Sequence, residues 1–322
     1  MYHRRAMREP LYLVTGGAGF IGSQLVTRLL RDGARVRVLD NFSTGTRANL
    51  AFPRDLRRRV EVVRGDVRDL ATVARAARGA RVVFHQAAMR SVPRSIKDPL
   101  GANANNVTGT LHVLEAARRA RVPRVVYASS SSVYGDRPEL PKREEQPTKP
   151  VSPYAVSKVA GELYASVWSR LFAVEAIGLR YFNVFGPRQD PKSEYAAVIP
   201  RFIMWALRGR PIQVHGDGRQ SRDFTYIDNV VEANVLAGRA AGVAGEVFNV
   251  GCGSRTSLLE IIAMLEAIVG RSLARRHAPS RSGDVAHTLA DLSKAKQLLG
   301  YEPLVGFEDG LKRTVEYFRA RA

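Results

Sequence analysis

Thr15-Gly16-Gly17-Ala18-Gly19-Phe20-Ile21-Gly22 follows the apolar run Leu11–Thr15. It opens a pattern in which Leu25, Val26, Leu29 and Leu30 recur at helical spacing up to Gly33. A strand, a glycine-rich turn and a helix in that order form a cradle for a pyrophosphate. The glycines let the backbone approach it, and the free N–H groups of the helix start attract its charge. Such a turn alone is weak evidence, but Asp40 follows 21 residues after Gly19, at the end of the alternating run Val36–Asp40. A carboxylate there accepts both ribose hydroxyls of an adenosine and repels a 2′-phosphate, which favours NAD over NADP. Asp66, in Gly65-Asp66-Val67 after the run Val60–Val63, has two readings, an adenine contact or a helix N-cap.

Outward from this turn the first half keeps alternating. Val82–His85 and Arg124–Ser129 read as further strands, with helical patterns around Asn106–Arg121 and Pro153–Phe172. That alternation predicts an α/β fold, a Rossmann-type doubly wound parallel sheet with helices on both faces. The second half is more irregular and carries Gly-Pro, Asp-Pro and Gly-Asp-Gly turns. It reads as a smaller C-terminal substrate-binding lobe. The expected division is an NAD-binding domain over residues 1–180, with contributions from about 226–250, and a lobe over 181–322.

The composition narrows the function classes. With 322 residues, 45% of them hydrophobic, the chain can bury a sizeable core, and global disorder is excluded. No stretch approaches the ~20 apolar residues of a membrane span, so no membrane association is expected. One cysteine, Cys252, permits neither an internal disulfide nor a multi-thiolate metal site and points to a cytoplasmic protein. The six histidines show no metal spacing, so no metal is expected. The net charge of +20 comes from 50 basic residues, 42 of them Arg. It fits a solvated basic surface, attraction of a polyanionic small molecule, or nucleic-acid binding. No aromatic-interleaved basic motif, zinc-finger spacing or arginine–glycine repeat accompanies it, so no nucleic-acid partner is expected.

Tyr154 and Lys158 stand four apart in a helical pattern and share a face. A neighbouring ammonium favours a phenolate, which predicts a tyrosine pKa drawn from ~10 towards neutrality and a general base for a sugar hydroxyl. Chance alone gives about 0.3 such pairs in a chain of this composition. The run Ser129-Ser130-Ser131-Ser132 strengthens the reading. It ends a predicted strand, at the edge where doubly wound sheets hold their ligands, and places Ser130 to relay a proton to Tyr154. No Gly-x-Ser-x-Gly elbow is present, so a hydrolase triad is not expected.

These residues together resemble the extended short-chain dehydrogenase/reductase family, and within it the nucleotide-sugar epimerases and dehydratases. The resemblance runs from about Leu11 to the C-terminus. It includes His85-Gln86-Ala87-Ala88, Asn106-Val107-x-Gly109-Thr110, Arg180-Tyr181-Phe182-Asn183-Val184-Phe185-Gly186-Pro187, Arg222-Asp223-Phe224 and Arg281-x-Gly283-Asp284. It implies an NAD-dependent 4-epimerase acting on a UDP-sugar through a transient 4-keto intermediate, with Ser130, Tyr154 and Lys158 catalytic. Dehydratases of the family carry an Asp-Glu pair where this chain has Ser131 and Ser132, which disfavours loss of water.

For the cofactor, the resemblance implies Gly16, Gly19, Phe20, Ile21, Gly22, Asp40 and Asn41, then Asp66, Val67, Ala87, Ala88 and Tyr181, together with Tyr154 and Lys158. For the substrate it implies Arg90, the run Ser130 to Ser132, Asn183, Val198 and Arg201. Gln213, His215, Arg222, Arg281, Asp284 and Thr288 complete that set. Asn183, Arg222 and Arg281 would bind the diphosphate, for which forked guanidinium donors are suited, and Asp284 the nucleoside ribose.

Thr288 falls where relatives carry a gate residue, and a small gate leaves room for an N-acetyl group. The leading expectation is therefore UDP-GlcNAc/UDP-GalNAc, with UDP-Glc/UDP-Gal also accepted. Arg90 departs from the pattern of such enzymes, which have a small glycine there. UDP-glucuronate 4-epimerisation or decarboxylation is the alternative, opposed by Asp190, whose charge would repel a substrate carboxylate. A non-catalytic NAD-sensing nucleic-acid binder is a remote third reading. The family also implies a role in polysaccharide biosynthesis and a homodimer built from the helices around 106–121 and 153–172.

Overall fold

The computed structural model describes residues 9–191, 197–279 and 286–321. In chain order the first half runs β1 (Leu11–Thr15), α1 (Phe20–Arg31), β2 (Arg35–Asp40), α2 (Arg54–Arg57), β3 (Val60–Arg64), α3 (Leu70–Ala77) and β4 (Val82–His85). It continues through α4 (Val92–Lys97), α5 (Pro99–Asn103), a π-helical turn (Ala104–Thr108), α6 (Gly109–Arg119), β5 (Arg124–Ser130), α7 (Pro153–Leu171) and β6 (Glu175–Tyr181). The second half comprises β7 (Val184–Phe185), α8 (Val198–Leu207), β8 (Ile212–His215), β9 (Ser221–Arg222), β10 (Thr225–Tyr226) and α9 (Ile227–Ala237). It ends with β11 (Val247–Val250), β12 (Thr256–Ser257), α10 (Leu258–Val269), β13 (Arg275–Ala278), α11 (Ser293–Leu299) and α12 (Phe307–Arg319).

Seven strands form one sheet in the order β3-β2-β1-β4-β5-β6-β11, with every neighbouring pair parallel. Strand order reverses between β1 and β4, so the crevice that binds ligands in such sheets opens beyond the C-terminal ends of these strands. This is the doubly wound α/β arrangement the sequence predicts.

The period-2 geometry of strands explains why both faces are covered. Val14, Val82, Phe84 and Val126 enter one core with α1 and α9, while Leu13, Val83, Val125 and Tyr127 enter a second with α3 and α6. Each fully buried Val, Leu or Phe contributes about 1.5–3 kcal/mol, so a strand apolar on both faces is secured twice. The first of these cores continues without a break into α8, α10 and α12.

Two strands escape the sequence pattern. In β6 the apolar residues are interrupted by Gly178 and Arg180, yet all but its first residue are buried. Gly178 is required there, because a Cβ would stand 2.4 Å from the Tyr127 hydroxyl. β11 joins beside β6 from a position 66 residues later in the chain. The other short strands pair in twos, β7 with β10, β9 with β12 and β8 with β13. Among the described residues no helix is long and apolar enough to cross a membrane.

Candidate active site

The glycine turn packs against the loop that leaves β4. Gly16 has φ +67°, and a Cβ on it would lie 2.7 Å from the Ala87 backbone nitrogen; one on Gly22 would lie 2.2 Å from the Gly16 carbonyl oxygen. Only glycine allows the turn to close this tightly. α1 begins at Phe20 with no side-chain cap, so its first N–H groups remain available to an anion. The Asp40 carboxylate ties the turn to the strand after it. Oδ2 accepts from the Ala18 N–H at 2.9 Å and Oδ1 from the Phe42 N–H at 2.8 Å. Each oxygen keeps a further lone pair for a hydroxyl donor.

A groove of about 160 Å³ follows this turn, bordered by Gly16, Gly19, Phe20, Ile21 and Gly22 on one side and by Asp40, Asn41 and Val67 on another. Ala87, Ala88, Tyr154, Lys158 and Tyr181 complete it. Asp66 is not a helix N-cap. Its oxygens are taken up by Asn41 Nδ2 at 2.8 Å and by the Arg68 guanidinium at 2.8 and 2.9 Å, contacts that hold it well below the usual carboxylate range. The N-cap of α3 is Asp69 instead, accepting from Ala71 and Thr72.

The groove opens into a cleft of about 1080 Å³ lined by Arg90, Ser129 to Ser132, Tyr154, Asn183, Arg222 and Thr288. Ser130 comes from the end of β5 and Tyr154 from the first turn of α7, which Ser152 caps and Pro153 starts. Ser130 acts on the Tyr154 phenol, and its Oγ accepts from the Ser132 hydroxyl at 2.9 Å. Burial raises the Tyr154 pKa above its ordinary value, while Ser130 and the nearby Arg90 charge pull it back. This corrects the expectation of a phenol drawn towards neutrality by Lys158. Lys158 Nζ donates to the Ala128 carbonyl at 2.7 Å and lies 5.7 Å from the Tyr154 ring centroid. Burial brings Lys158 itself down to about 8, opposed by Glu162. Arg90 is therefore the cation that acts on the phenol, and its charge also faces Asp190.

A third hollow, of about 470 Å³, continues past Asn183 and Arg222 and is bordered by Val198, Arg201, Gln213 and His215. Asn183 adopts φ +31° and spends its amide nitrogen on the Asp223 carbonyl (3.1 Å) and Thr288 Oγ1 (3.2 Å). It thus ties Thr288 to the backbone at Asp223. Tyr181 likewise gives its hydroxyl to Gln86 and to Asn234, which donates at 2.8 Å. Arg222 donates through one nitrogen to the Ala286 carbonyl at 2.8 Å. Its neighbour Asp223 is fully buried and accepts N–H groups from Cys252, Gly253 and Ala290. Burial outweighs these bonds and lifts its pKa to about 6. Arg281 and Asp284 lie outside the described residues.

Sequence reasoning passed over the layer beneath this site. Glu162 and Arg180 form a buried bidentate pair, Nε to Oε1 at 2.9 Å and Nη2 to Oε2 at 2.8 Å. Asn106 holds the Met89 backbone on both its N–H and C=O and donates to Ser157, bracing the loop that carries Arg90. The signal for Glu162 was present, since Tyr154, Lys158 and Glu162 recur every four residues on one helix. No group of three or more metal-ligating side chains occurs among the described residues.

Comparison with known proteins gives consistent matches over most of the chain. A model of the NAD dependent epimerase/dehydratase family matches residues 12–251. A UDP-glucose 4-epimerase of Mycolicibacterium smegmatis is 42% identical over 312 residues, 96% of this chain and 99% of that protein. The structure of a UDP-N-acetylglucosamine 4-epimerase from Methanobrevibacter ruminantium, in complex with UDP-N-acetylmuramic acid, superposes with a TM-score of 0.93. It is 36% identical and covers 98% of this chain and 100% of its own. A Bacillus cereus UDP-glucuronic acid 4-epimerase with UDP-glucuronic acid and NAD has a TM-score of 0.87 at 35% identity, covering 97% and 100%.

Proposed function

The chain belongs to the NAD dependent epimerase/dehydratase family, and on that premise we propose that it interconverts UDP-GlcNAc and UDP-GalNAc. NAD-dependent 4-epimerisation of a UDP-sugar is its activity, and the N-acetylhexosamine preference is the finer part of the reading. One observation carries it: Ser130, Tyr154 and Lys158 border the glycine-turn groove and the adjoining cleft, which the small gate Thr288 also lines.

The groove suits NAD. The uncapped start of α1 provides N–H donors for its pyrophosphate. The Asp40 carboxylate offers lone pairs to ribose hydroxyls and repels a 2′-phosphate. Gly16, Gly19, Phe20, Ile21, Gly22, Asn41, Val67, Ala87 and Ala88 would enclose it, and Lys158 would hold the ribose nearest the chemistry. When bound, NAD supplies a hydride acceptor and donor for C4 of the sugar.

Tyr154 takes the proton of the sugar 4-hydroxyl as the C4 oxygen becomes a carbonyl, directly or through Ser130, and returns it once the 4-keto sugar has turned over. Because burial raises the tyrosine pKa, the basic form is the minority species at neutral pH, and the Arg90 charge and the Ser130 side chain help to form it. Ser131 and Ser132 provide hydroxyls where loss of water would need an acid–base pair, so the keto sugar is reduced again rather than dehydrated.

Thr288→Tyr tests the sugar assignment. A phenol at the gate is expected to lower kcat/KM for UDP-GlcNAc relative to UDP-glucose by roughly 10- to 200-fold. An unchanged ratio would remove Thr288 from the specificity argument. A second reading, UDP-glucuronate, draws support from Arg90, a cation bordering the cleft where a neutral sugar needs none. Asp190 faces that same cation and opposes it. Turnover of UDP-glucuronate in preference to both other sugars would decide for it.

The reading extends to a cytoplasmic homodimer serving polysaccharide biosynthesis. Val156, Leu163, Val167 and Leu171 form an exposed apolar stripe along α7, with exposed Ile96 and Leu100 alongside. A continuous stripe of this kind marks an association surface. Sedimentation of the enzyme as a monomer would contradict it.

A further inference from the structure

We propose that Glu162 is a positioning residue for the reaction. Clamped by Arg180 and Ser129, its carboxylate supplies the negative charge that the buried Lys158 ammonium needs and fixes the strand end that carries Ser130. This rests on the role given above to Lys158.

The geometry is that of a closed polar layer beneath the cleft. Glu162 is one helical turn beyond Lys158 and two beyond Tyr154, so the three side chains stand in one column on α7, with neighbours about 5–6 Å apart at Cβ. Oε1 accepts from the Ser129 hydroxyl at 2.5 Å and from Arg180 Nε at 2.9 Å, and Oε2 accepts from Arg180 Nη2 at 2.8 Å. Arg180 Nη1 continues to the Tyr134 hydroxyl at 2.9 Å, which itself donates to Asn249 Oδ1 at 2.7 Å. Glu162, Arg180 and Ser129 are at most 8% exposed. The carboxylate therefore ties α7 to β5 one residue before Ser130, and to β6 one residue before Tyr181.

A buried ion pair alone is poor evidence of stabilisation, because desolvation opposes it. Its placement is the informative feature. An ammonium at 8% exposure loses its proton readily unless a carboxylate stands near, and Glu162 is the acid that acts on Lys158. The other groups facing this column are silent near neutral pH. His85 on β4 is buried between the Thr15 and Thr110 hydroxyls, and burial together with the Lys158 charge brings it to about 3. Tyr127 on β5 lies well above 10, and Tyr134 and Tyr181 lie at about 12, all raised by burial. Arg180 stays charged throughout.

The test is direct because the chain has only eight lysines. NMR titration of protein with 13C-labelled lysine ε-carbons, with Lys158 assigned by Lys158→Arg, reads its pKa without any substrate. Glu162→Gln is expected to lower that pKa by about 1 unit. Loss of the Lys158 proton is expected to bring an alkaline fall of kcat, and that fall should move acidward with the Lys158 pKa while KM for the UDP-sugar holds.

Glu162→Gln leaves Arg180 buried without its partner, so Glu162→Gln/Arg180→Met is made in parallel. It removes both charges and should show the same displacement. A folded variant with an unmoved Lys158 pKa, or one whose activity falls equally at all pH values, overturns the proposal. So does failure of both variants to fold, which would make the pair a structural clamp only. A wild type that epimerises no UDP-sugar would instead fault the functional reading, and the NMR titration would still judge Glu162.

Discussion

Tyr154→Phe is expected to lower kcat by roughly 10²- to 10⁴-fold while the purified protein still carries NAD. The substitution removes one oxygen, the phenol atom on which Ser130 acts at the mouth of the cleft. Little else depends on it. The Tyr154 backbone N–H is bound by Ser95 Oγ at 3.0 Å, and α7 is capped by Ser152, so the helix start keeps its place. The phenylalanine ring would still cover the groove. Rates from the sugar H1 signals by proton NMR, with bound NAD measured by absorbance after denaturation, separate lost chemistry from lost cofactor. More than about a tenth of wild-type turnover would remove Tyr154 as the base.

Gly22→Ala should have the second large effect, by a different route. A methyl group at this position meets the Gly16 carbonyl oxygen at 2.2 Å and the Gly17 Cα at 2.8 Å, so the turn itself must move. Forcing one carbon into so tight a contact costs about 1–3 kcal/mol, and it displaces the N–H groups aimed at the pyrophosphate. The variant is expected to purify without NAD and to melt at a lower temperature. Gly161→Ala is the matching control, since its new Cβ meets only Thr110 Cγ2 at 3.7 Å. Alanine also suits a helix interior better than glycine does, by about 1 kcal/mol. Equal NAD retention by the two variants would contradict the close-approach argument for the turn.

The parts of this molecule legible in sequence are those whose physics is local. The glycine turn, the strand and helix around it and the Asp40 position are set within about thirty residues, and periodicity reads them directly. The Tyr154/Lys158 column is also a property of one helix. What escaped depends on partners distant in the chain. Glu162 and Arg180 each look like a solvated charge until β6 packs beside β5. Gly178 and Arg180, which hide β6 from a pattern search, are explained only by Tyr127 and Glu162 across the fold.

The electrostatics of the site likewise depends on packing between elements distant in the chain. Spacing places Lys158 near Tyr154, but burial, which sequence does not display, raises the phenol and lowers the amine. Arg90, a departure from the expected pattern, is then the cation that pulls the phenol back. Asp66 and Asp69 show the smaller error of a cap misplaced by three residues, within the reach of competing side-chain partners.

The central claim is that C4 of a UDP-sugar is transiently oxidised and reduced within one active site. UDP-GlcNAc carrying deuterium at C4, incubated in ordinary water with the purified protein and no added cofactor, tests it most directly. UDP-GalNAc that retains the deuterium at C4 is the predicted product, because the hydride that leaves that carbon returns to it. An epimer whose label has been replaced by solvent hydrogen would contradict the account, as would UDP-GlcNAc, UDP-glucose and UDP-glucuronate all left unchanged with and without added NAD.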